Sequence, residues 1–281
     1  MNAIEYAQRA NELFAVPNTA NQLRILFDQD DSTMKDIATV VSGDPGLAVH
    51  LLKYANSPIF RFERKIESLE KAIQVIGAKA VYEFALVFGI TNMLSNDHSK
   101  YIDVNKFWMQ SILCGLYGVF FSKKCKEKDV ARLYTSGLLH NVGELAVLRV
   151  SPTLVSDCNK FKSDAMPKQC QDEILGFSFA EVSASLLQQW LIPDALVSTV
   201  AMQHHDDAPA VTKESQIMQL SYTLALINTY PDYFSIEQHL PSFLYSSLQL
   251  EIEALEEAQE NCQDEYEALA SIFKMSFSEP A

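Results

Sequence analysis

The sequence of 281 residues has few of the residues that most often interrupt regular structure, with only 9 glycines and 10 prolines. Most of them lie between segments in which apolar residues recur every three or four positions, the spacing of an amphipathic helix. No segment of useful length alternates between apolar and polar residues, and no Asn-Gly pair marks a hairpin turn. These absences argue against a sheet and predict an all-α fold.

Cysteine is also scarce, and no two cysteines form a Cys-x-x-Cys motif. The five are Cys114, Cys125, Cys158, Cys170 and Cys262. An odd number without that motif favours free thiols in a reducing compartment. The first residues lack the apolar core of a signal peptide. The most apolar stretches, 81–90 and 112–121, are about half as long as a membrane span requires. We therefore expect a cytoplasmic protein.

Basic residues are outnumbered, with 22 Lys and Arg against 36 Asp and Glu, a net charge of −14 and a pI of about 4.8. A surface this acidic repels phosphate backbones and anionic lipid headgroups. The charge balance therefore predicts neither direct binding to nucleic acid nor docking on a membrane. Hydrophobic residues make up 48% of the chain, which is enough for a globular core.

Several helix boundaries can be predicted from single residues. Gly43 suits a left-handed helix end, and Asp44 can cap the next helix, which opens with a proline. Asn56 and Ser57 precede Pro58, and a residue before proline avoids helical dihedrals. Asn56 and Ser57 therefore either cap and turn the chain between two helices or form part of a partner surface. Further along, one helix is predicted from Asp129 to about Ser151.

These residues belong to a longer pattern. The segments GDPGLAVHLLKYANSPIF (43–60) and IESLEKAIQVIGAKAV (66–81) resemble the start of HDOD domains. The later blocks of that family resemble four further segments, in the same order: FWMQS (107–111), SGLLHNVGEL (136–145), EILGFSFAEVSASLLQQWLIP (173–193) and QHH (203–205). The resemblance spans roughly residues 13–230 and implies a role in bacterial signal transduction.

HDOD domains resemble the HD superfamily of metal-dependent phosphohydrolases, whose site takes a His, an adjacent His-Asp pair, further histidines and a late Asp. Neutral imidazoles and a carboxylate suit a transition metal, which then activates a water molecule. The resemblance places the remnants of that site at Gln110, His140, Asn141, Phe179, His204 and His205. The late Asp position falls near Ser221 or Tyr222.

Three of these remnant positions have lost the chemistry of a metal ligand. Gln110 stands where relatives often carry a His, Asn141 is a neutral amide in place of the Asp, and Phe179 cannot ligate at all. His140 and the pair His204-His205 stay as weak metal candidates, although each also suits a structural role at a helix end. We expect no bound metal, no cofactor, no catalytic residue and therefore no enzyme.

The resemblance implies a non-catalytic signalling scaffold that binds unidentified signalling proteins. A first alternative is a degenerate phosphohydrolase with a single metal, which Asn141 and Phe179 disfavour. A second is a sensor of a nucleotide, such as a cyclic dinucleotide, in the old substrate cleft, with Arg132 and Lys160 as candidate contacts. The low positive charge disfavours that sensor.

The expected architecture is a two-lobed helical bundle. It comprises an HDOD-specific N-terminal helical lobe (1–97), a degenerate HD-like helical lobe (98–235) that completes one HDOD unit, and an acidic C-terminal helical extension (236–281).

The extension carries an apolar stripe at a spacing of three and four, formed by Tyr245, Leu248, Ile252, Leu255, Cys262, Tyr266, Leu269 and Phe273. Its other face is acidic. The stripe either packs on the protein's own core or docks on a basic partner.

Overall fold

The computed structural model describes residues 1–13, 18–27, 33–57, 60, 65–91, 100–204 and 210–274. Over these residues the chain is helical, and its only strand-like feature is an isolated bridge between Lys162 and Ala165. The prediction of an all-α fold is confirmed.

The described residues form seventeen helices. They are α1 (Ala3–Leu13), α2 (Asn18–Phe27), α3 (Met34–Ser42), α4 (Pro45–Ala55), α5 (Leu69–Ile76), α6 (Ala78–Thr91), α7 (Val104–Lys124), α8 (Val130–Leu139), α9 (Val142–Val150), α10 (Pro152–Cys158), α11 (Pro167–Leu175), α12 (Phe179–Gln189), α13 (Asp194–Ala201), α14 (Lys213–Thr229), α15 (Ile236–His239), α16 (Phe243–Ser246) and α17 (Ile252–Lys274).

The chain divides into two compact units. The first comprises Met1–Phe14 and Ser95–Tyr266, and the second comprises Ala15–Leu94 and Glu267–Ala281. This grouping differs from the boundaries expected from the sequence. The expected N-terminal lobe began at residue 1, and the last helix was expected to stand apart as an extension.

Helices α2 to α6 form the second unit, and short polar side chains set their ends. The Asp44 carboxylate accepts from Leu47 N at 3.0 Å at the start of α4, and the Ser68 hydroxyl caps α5 in the same way. Gly77 adopts a φ of 92° between α5 and α6, a conformation that favours glycine. Gly43 ends α3 as predicted, but the expected left-handed conformation is wrong, because its φ is −67°.

Asn56 holds the end of α4 against the segment that leads to α5. Its amide nitrogen donates to Leu52 O at 2.7 Å and to Ile66 O at 2.8 Å. Its carbonyl oxygen accepts from Ile66 N at 2.7 Å. These are the contacts of a residue that caps and turns the chain, and the neighbouring Ser57 is buried.

No single helix of the described residues is both long enough and apolar enough to cross a membrane. Helices α5 and α6 meet that criterion only as a pair, by length and composition, and the chain bends by 107° between them.

Helix α7 lies at the centre of the first unit, packed against α8 and α14. Most of its residues are buried, as expected of a helix covered on nearly all sides. Its crossing with α8 is unusually close. A Cβ atom on Gly137 of α8 would lie 2.3 Å from the backbone nitrogen of Gly115 on α7. Only glycine allows the two backbones to approach so closely.

Helix α1 belongs to the first unit because its buried face packs on α9 and α12. The Tyr6 ring lies 5.4 Å from that of Phe177. The indole nitrogen of Trp190 donates to the Asn11 side chain at 2.9 Å. The apolar residues of α1 therefore complete the core of the HD-like region.

Part of the apolar stripe of α17 also packs within the first unit, from Leu255 to Cys262, whereas Ile252 is 40% exposed. Leu255, Ala258 and Cys262 are buried, and the Gln259 amide donates to the Asn228 side chain at 2.8 Å. Of the two alternatives for the stripe, the structure therefore favours packing on the protein's own core. Acidic residues occupy the exposed face: Glu251, Glu253, Glu256, Glu257, Glu260 and Asp264.

All five cysteines are free and buried. Burial raises the pKa of each of the thiols of Cys114 and Cys262 far above its ordinary value. The expectation of free thiols is confirmed.

Candidate functional site

Two of the residues that the resemblance assigns to an HD-type site, His140 and Asn141, lie at the junction between α8 and α9, where a single long helix was predicted. That prediction is wrong, because the helix breaks at His140 and Asn141. The break is stabilised from α12. The Ser183 hydroxyl donates to His140 O and accepts from Gly143 N, both at 2.8 Å. One side chain of another helix thus satisfies backbone groups on both sides of the break.

His140 is fully buried, and both of its ring nitrogens are engaged. Nδ1 lies 2.6 Å from Gly137 O. Because a carbonyl can only accept, Nδ1 carries the proton and Nε2 is left as an acceptor. The amide nitrogen of Gln110 lies 3.4 Å from Nε2 and donates to it. Burial lowers the His140 pKa to about 4, so the ring is neutral near pH 7.

Tyr222, at one of the two positions assigned to the late Asp, packs against two of the candidate histidines, His140 and His204. Its ring centroid lies 5.7 Å from that of His140 and 4.8 Å from that of His204, each in an edge arrangement. The Gln219 amide holds the backbone of this segment by donating to His204 O at 3.0 Å. An aromatic ring therefore occupies the position that the resemblance assigns to a carboxylate. His205 lies outside the described residues.

Phe179 opens α12 and is buried. Its backbone nitrogen donates to the Gln171 side chain at 2.8 Å. Its carbonyl oxygen lies so close to α9 that a Cβ atom on Gly143 would approach it to 2.1 Å. The backbones of α9 and α12 are therefore closely packed at Phe179.

The Asn141 side chain is hydrogen-bonded within the protein. Its amide nitrogen donates to Glu144 Oε2 at 2.5 Å, and the amide nitrogen of Asn159 donates to Oε1 at 2.5 Å. Glu144 is buried, and that burial raises its pKa to about 7 in spite of the two hydrogen bonds, which lower it. The sequence analysis missed Glu144, Asn159 and Ser183. The only available signal was the spacing Asn141-x-x-Glu144, which suits a first helical turn.

The metal that an HD-type site would need does not fit these residues. His140 has both nitrogens engaged, the Asn141 amide is taken by Glu144, and Phe179 offers no donor. Within the described ranges, no group of three or more His, Cys, Asp or Glu side chains is placed to hold a metal ion. We therefore derive no chemical step through a metal.

The remaining candidates lie elsewhere. Asp44, Asn56 and Ser57 belong to the second unit. Arg132 is paired with Glu214 and lies 3.4 Å from an Asp129 carboxylate oxygen, so its charge is already compensated.

The sequence profile of the HDOD domain matches residues 13–206. The chain belongs to the HDOD domain family. An uncharacterized protein of Treponema pallidum (strain Nichols) is 23% identical to it over 248 residues. That match covers 86% of this HDOD chain and 48% of the relative, so the chain spans about half the length of the curated relative.

Solved structures share the HDOD fold. A protein from Shewanella amazonensis SB2B, proposed to be a phosphohydrolase, has a TM-score of 0.70 at 19% identity and matches over 96% of this chain and 98% of its own. A protein from Marinobacter aquaeolei VT8, proposed to act in signal transduction, has a TM-score of 0.68 at 19% identity, over 94% and 60%. An HDOD domain protein of unknown function from Geobacter sulfurreducens has a TM-score of 0.66 at 17% identity, over 96% and 97%. At these identities the likeness establishes the fold alone.

Glu144→Gln is expected to make the HDOD domain more stable than the wild type at about pH 8, by up to about 3 kcal/mol. The Glu144 pKa is about 7 in the folded state against an ordinary value of 4.5. The stability that the protonated carboxyl provides is therefore complete below 4.5 and is lost as the pH rises through 7. Glutamine stays neutral throughout. Denaturant unfolding of both proteins across this range measures the difference.

Near about pH 4.5 the two proteins should be almost equally stable, since the buried Glu144 side chain is then protonated and both side chains are neutral. His140 works in the opposite direction. Its pKa falls from 6.5 to about 4 on folding, so its contribution is lost as the pH falls below 6.5. In Glu144→Gln this His140 dependence should remain while the Glu144 dependence is lost. A variant that gains no stability above pH 7 would show that Glu144 is not a buried acid.

Proposed function

We propose that this HDOD domain is a non-catalytic signalling scaffold that acts through protein–protein interaction. One observation carries the proposal. The groups that would have to hold a metal and a substrate are instead bonded to the protein, with His140 between Gly137 and Gln110 and Asn141 on Glu144. Because these bonds satisfy buried polar groups, they stabilise the fold and occupy the side chains of His140 and Asn141.

The family supports the same proposal. The chain has an HDOD domain, and it shares its fold with a protein proposed to act in signal transduction. Both facts suit a domain that acts by binding other proteins through its surface. The partners would be signalling proteins in the cytoplasm, and neither nucleic acid nor a membrane would be bound directly. The acidic face of α17 offers a negative surface that could steer a basic partner.

The purified protein is expected to hydrolyse no phosphomonoester, phosphodiester or cyclic dinucleotide, with Mg²⁺, Mn²⁺, Fe²⁺ or Zn²⁺ supplied. Asn141→Asp should not create activity, because Phe179 still leaves the site short of a ligand. Release of phosphate or of nucleotide product measures turnover. The metal content of protein purified without added metal should also be measured, and we expect no bound metal.

Turnover that persists through purification and disappears in His140→Asn would overturn this proposal. Circular dichroism must show that the variant is folded, since His140 is buried. Arg149→Gln, at an exposed side chain of α9, is the matched control and should leave any turnover by the protein itself unchanged.

A further inference from the structure

A concave cleft of about 620 Å³ lies in the first unit, between the start of α7, the end of α10 and the segment that follows α14. This volume is within the range of small-molecule binding sites. We name it the Lys106 cleft. The lining residues that matter here are Lys100, Lys106, Asn159, Lys160, Tyr230 and Tyr233.

The Lys106 cleft is locally positive in an acidic protein. Three lysines, Lys100, Lys106 and Lys160, line it together with one carboxylate, Asp103. That carboxylate is engaged in capping α7, since it accepts from Lys106 N at 3.1 Å. Lys160 lies 2.7 Å from an Asp157 oxygen in an exposed pair, which water screens and which contributes little. The lysine ammonium groups can therefore bind an anion.

Aromatic rings form one wall of the cleft. Phe161 packs edge-on against Tyr230, with centroids 4.7 Å apart, and lies 6.0 Å from Tyr233. The Lys106 ammonium lies 5.0 Å from the centre of the Tyr230 ring. Tyr233 is 43% exposed, which leaves much of its surface available to a ligand. A planar ring can stack on such a side chain.

Asn159 connects the cleft to the remnant HD site. Its amide nitrogen donates to Glu144, and Glu144 in turn accepts from Asn141. The amide of Asn159 is thereby fixed in one orientation, and Asn159 lines the cleft, where its carbonyl oxygen is an acceptor in chemical type. The cleft therefore offers lysines for an anion, a ring surface and one oriented acceptor.

We propose that the Lys106 cleft binds an aromatic phosphate of the size of a nucleoside monophosphate. Its phosphate would contact the lysines, its ring would lie on Tyr233, and a ring amino group would donate to Asn159. This proposal goes beyond the scaffold function, because it gives the domain a small-molecule input. The proposal for the cleft does not depend on the scaffold function, because a domain that catalyses no reaction can still bind a small molecule.

Isothermal titration calorimetry of the full chain with AMP as the probe tests the proposal. We expect saturable binding of one AMP molecule per chain. Lys106→Ala and Lys160→Ala should each lower the affinity about tenfold, because each removes one charge-assisted contact. Tyr233→Ala should also weaken it, by a similar factor. Adenosine and inorganic phosphate, which each carry half of the recognised chemistry, should both bind far more weakly than AMP.

Lys162→Ala is the matched control, because Lys162 is exposed and close in sequence to Lys160 but does not line the cleft. It should bind AMP as the wild type does. The proposal is overturned if AMP shows no saturable binding where a millimolar dissociation constant would be detected. It is also overturned if Lys162→Ala weakens binding as much as Lys106→Ala, or if phosphate alone binds as tightly as AMP.

Discussion

Gly137→Ala is expected to lower the free energy of unfolding by about 3 kcal/mol or more, or to prevent folding. The new Cβ atom would lie 2.3 Å from Gly115 N and 2.4 Å from its Cα, so α7 and α8 would have to separate. Helix propensity alone predicts the opposite sign, a gain of about 1 kcal/mol. The measured sign therefore decides between the close crossing and local propensity. Denaturant unfolding followed by circular dichroism provides the measurement.

Gly43→Ala serves as the control for this substitution. Gly43 is exposed at the end of α3, and its φ is −67°. A Cβ atom there would come no closer than 3.2 Å to its nearest neighbour, Val40 O. Its effect should stay within about 0.5 kcal/mol. Equal stabilities of the two variants would show that α7 and α8 do not cross as closely as described.

Leu255→Asp should destabilise the domain by about 4 kcal/mol or more, because it removes a buried leucine and places a carboxylate in the core. Leu255 is fully buried on α17. If the Asp variant fails to fold, Leu255→Ala gives a measurable loss of about 2–5 kcal/mol. Thermal and urea unfolding would both record it.

Glu256→Gln is the paired control. Glu256 is the next residue in the sequence but lies on the exposed face of α17, so this change should leave stability nearly unchanged. Should Leu255→Ala prove as mild as Glu256→Gln, the stripe would not be core-packed, and docking on a basic partner would become the better account of it.

Most of the fold could be predicted because its signals are local. Asp44, the cap predicted for α4, accepts from a backbone nitrogen three residues on, and Ser68 and Asp103 do the same at the starts of α5 and α7. Such bonds depend on a few neighbouring residues, so they can be inferred from sequence. The start of α11 at Pro167 is a local signal of the same kind, because proline suits a first helical turn.

The break between α8 and α9 could not be predicted, because its stabilising group is distant in sequence. Residues from Asp129 to Ser151 keep a continuous helical spacing, and Ser183 lies 43 residues beyond His140. The same reason hides the Asn159 contact to Glu144. The positions aligned with the HD site were found from the family pattern, but their hydrogen-bond partners became known only from the packing.

The grouping of α1 with the HD-like helices has a similar cause. Its buried residues Tyr6, Ala7 and Ala10 show the spacing of an amphipathic helix, but spacing does not identify which unit covers that face. Contacts such as that between Asn11 and Trp190 join residues 179 positions apart.

The buried cysteines give the domain a set of natural probes for breathing motions. Cys114 is in α7, Cys158 in α10, Cys170 in α11 and Cys262 in α17, and all four are buried in the native fold. A thiol reagent can then modify each one only after its surroundings open. Labelling rates, read cysteine by cysteine by mass spectrometry, would rank how readily different helices come apart, with no engineered reporter.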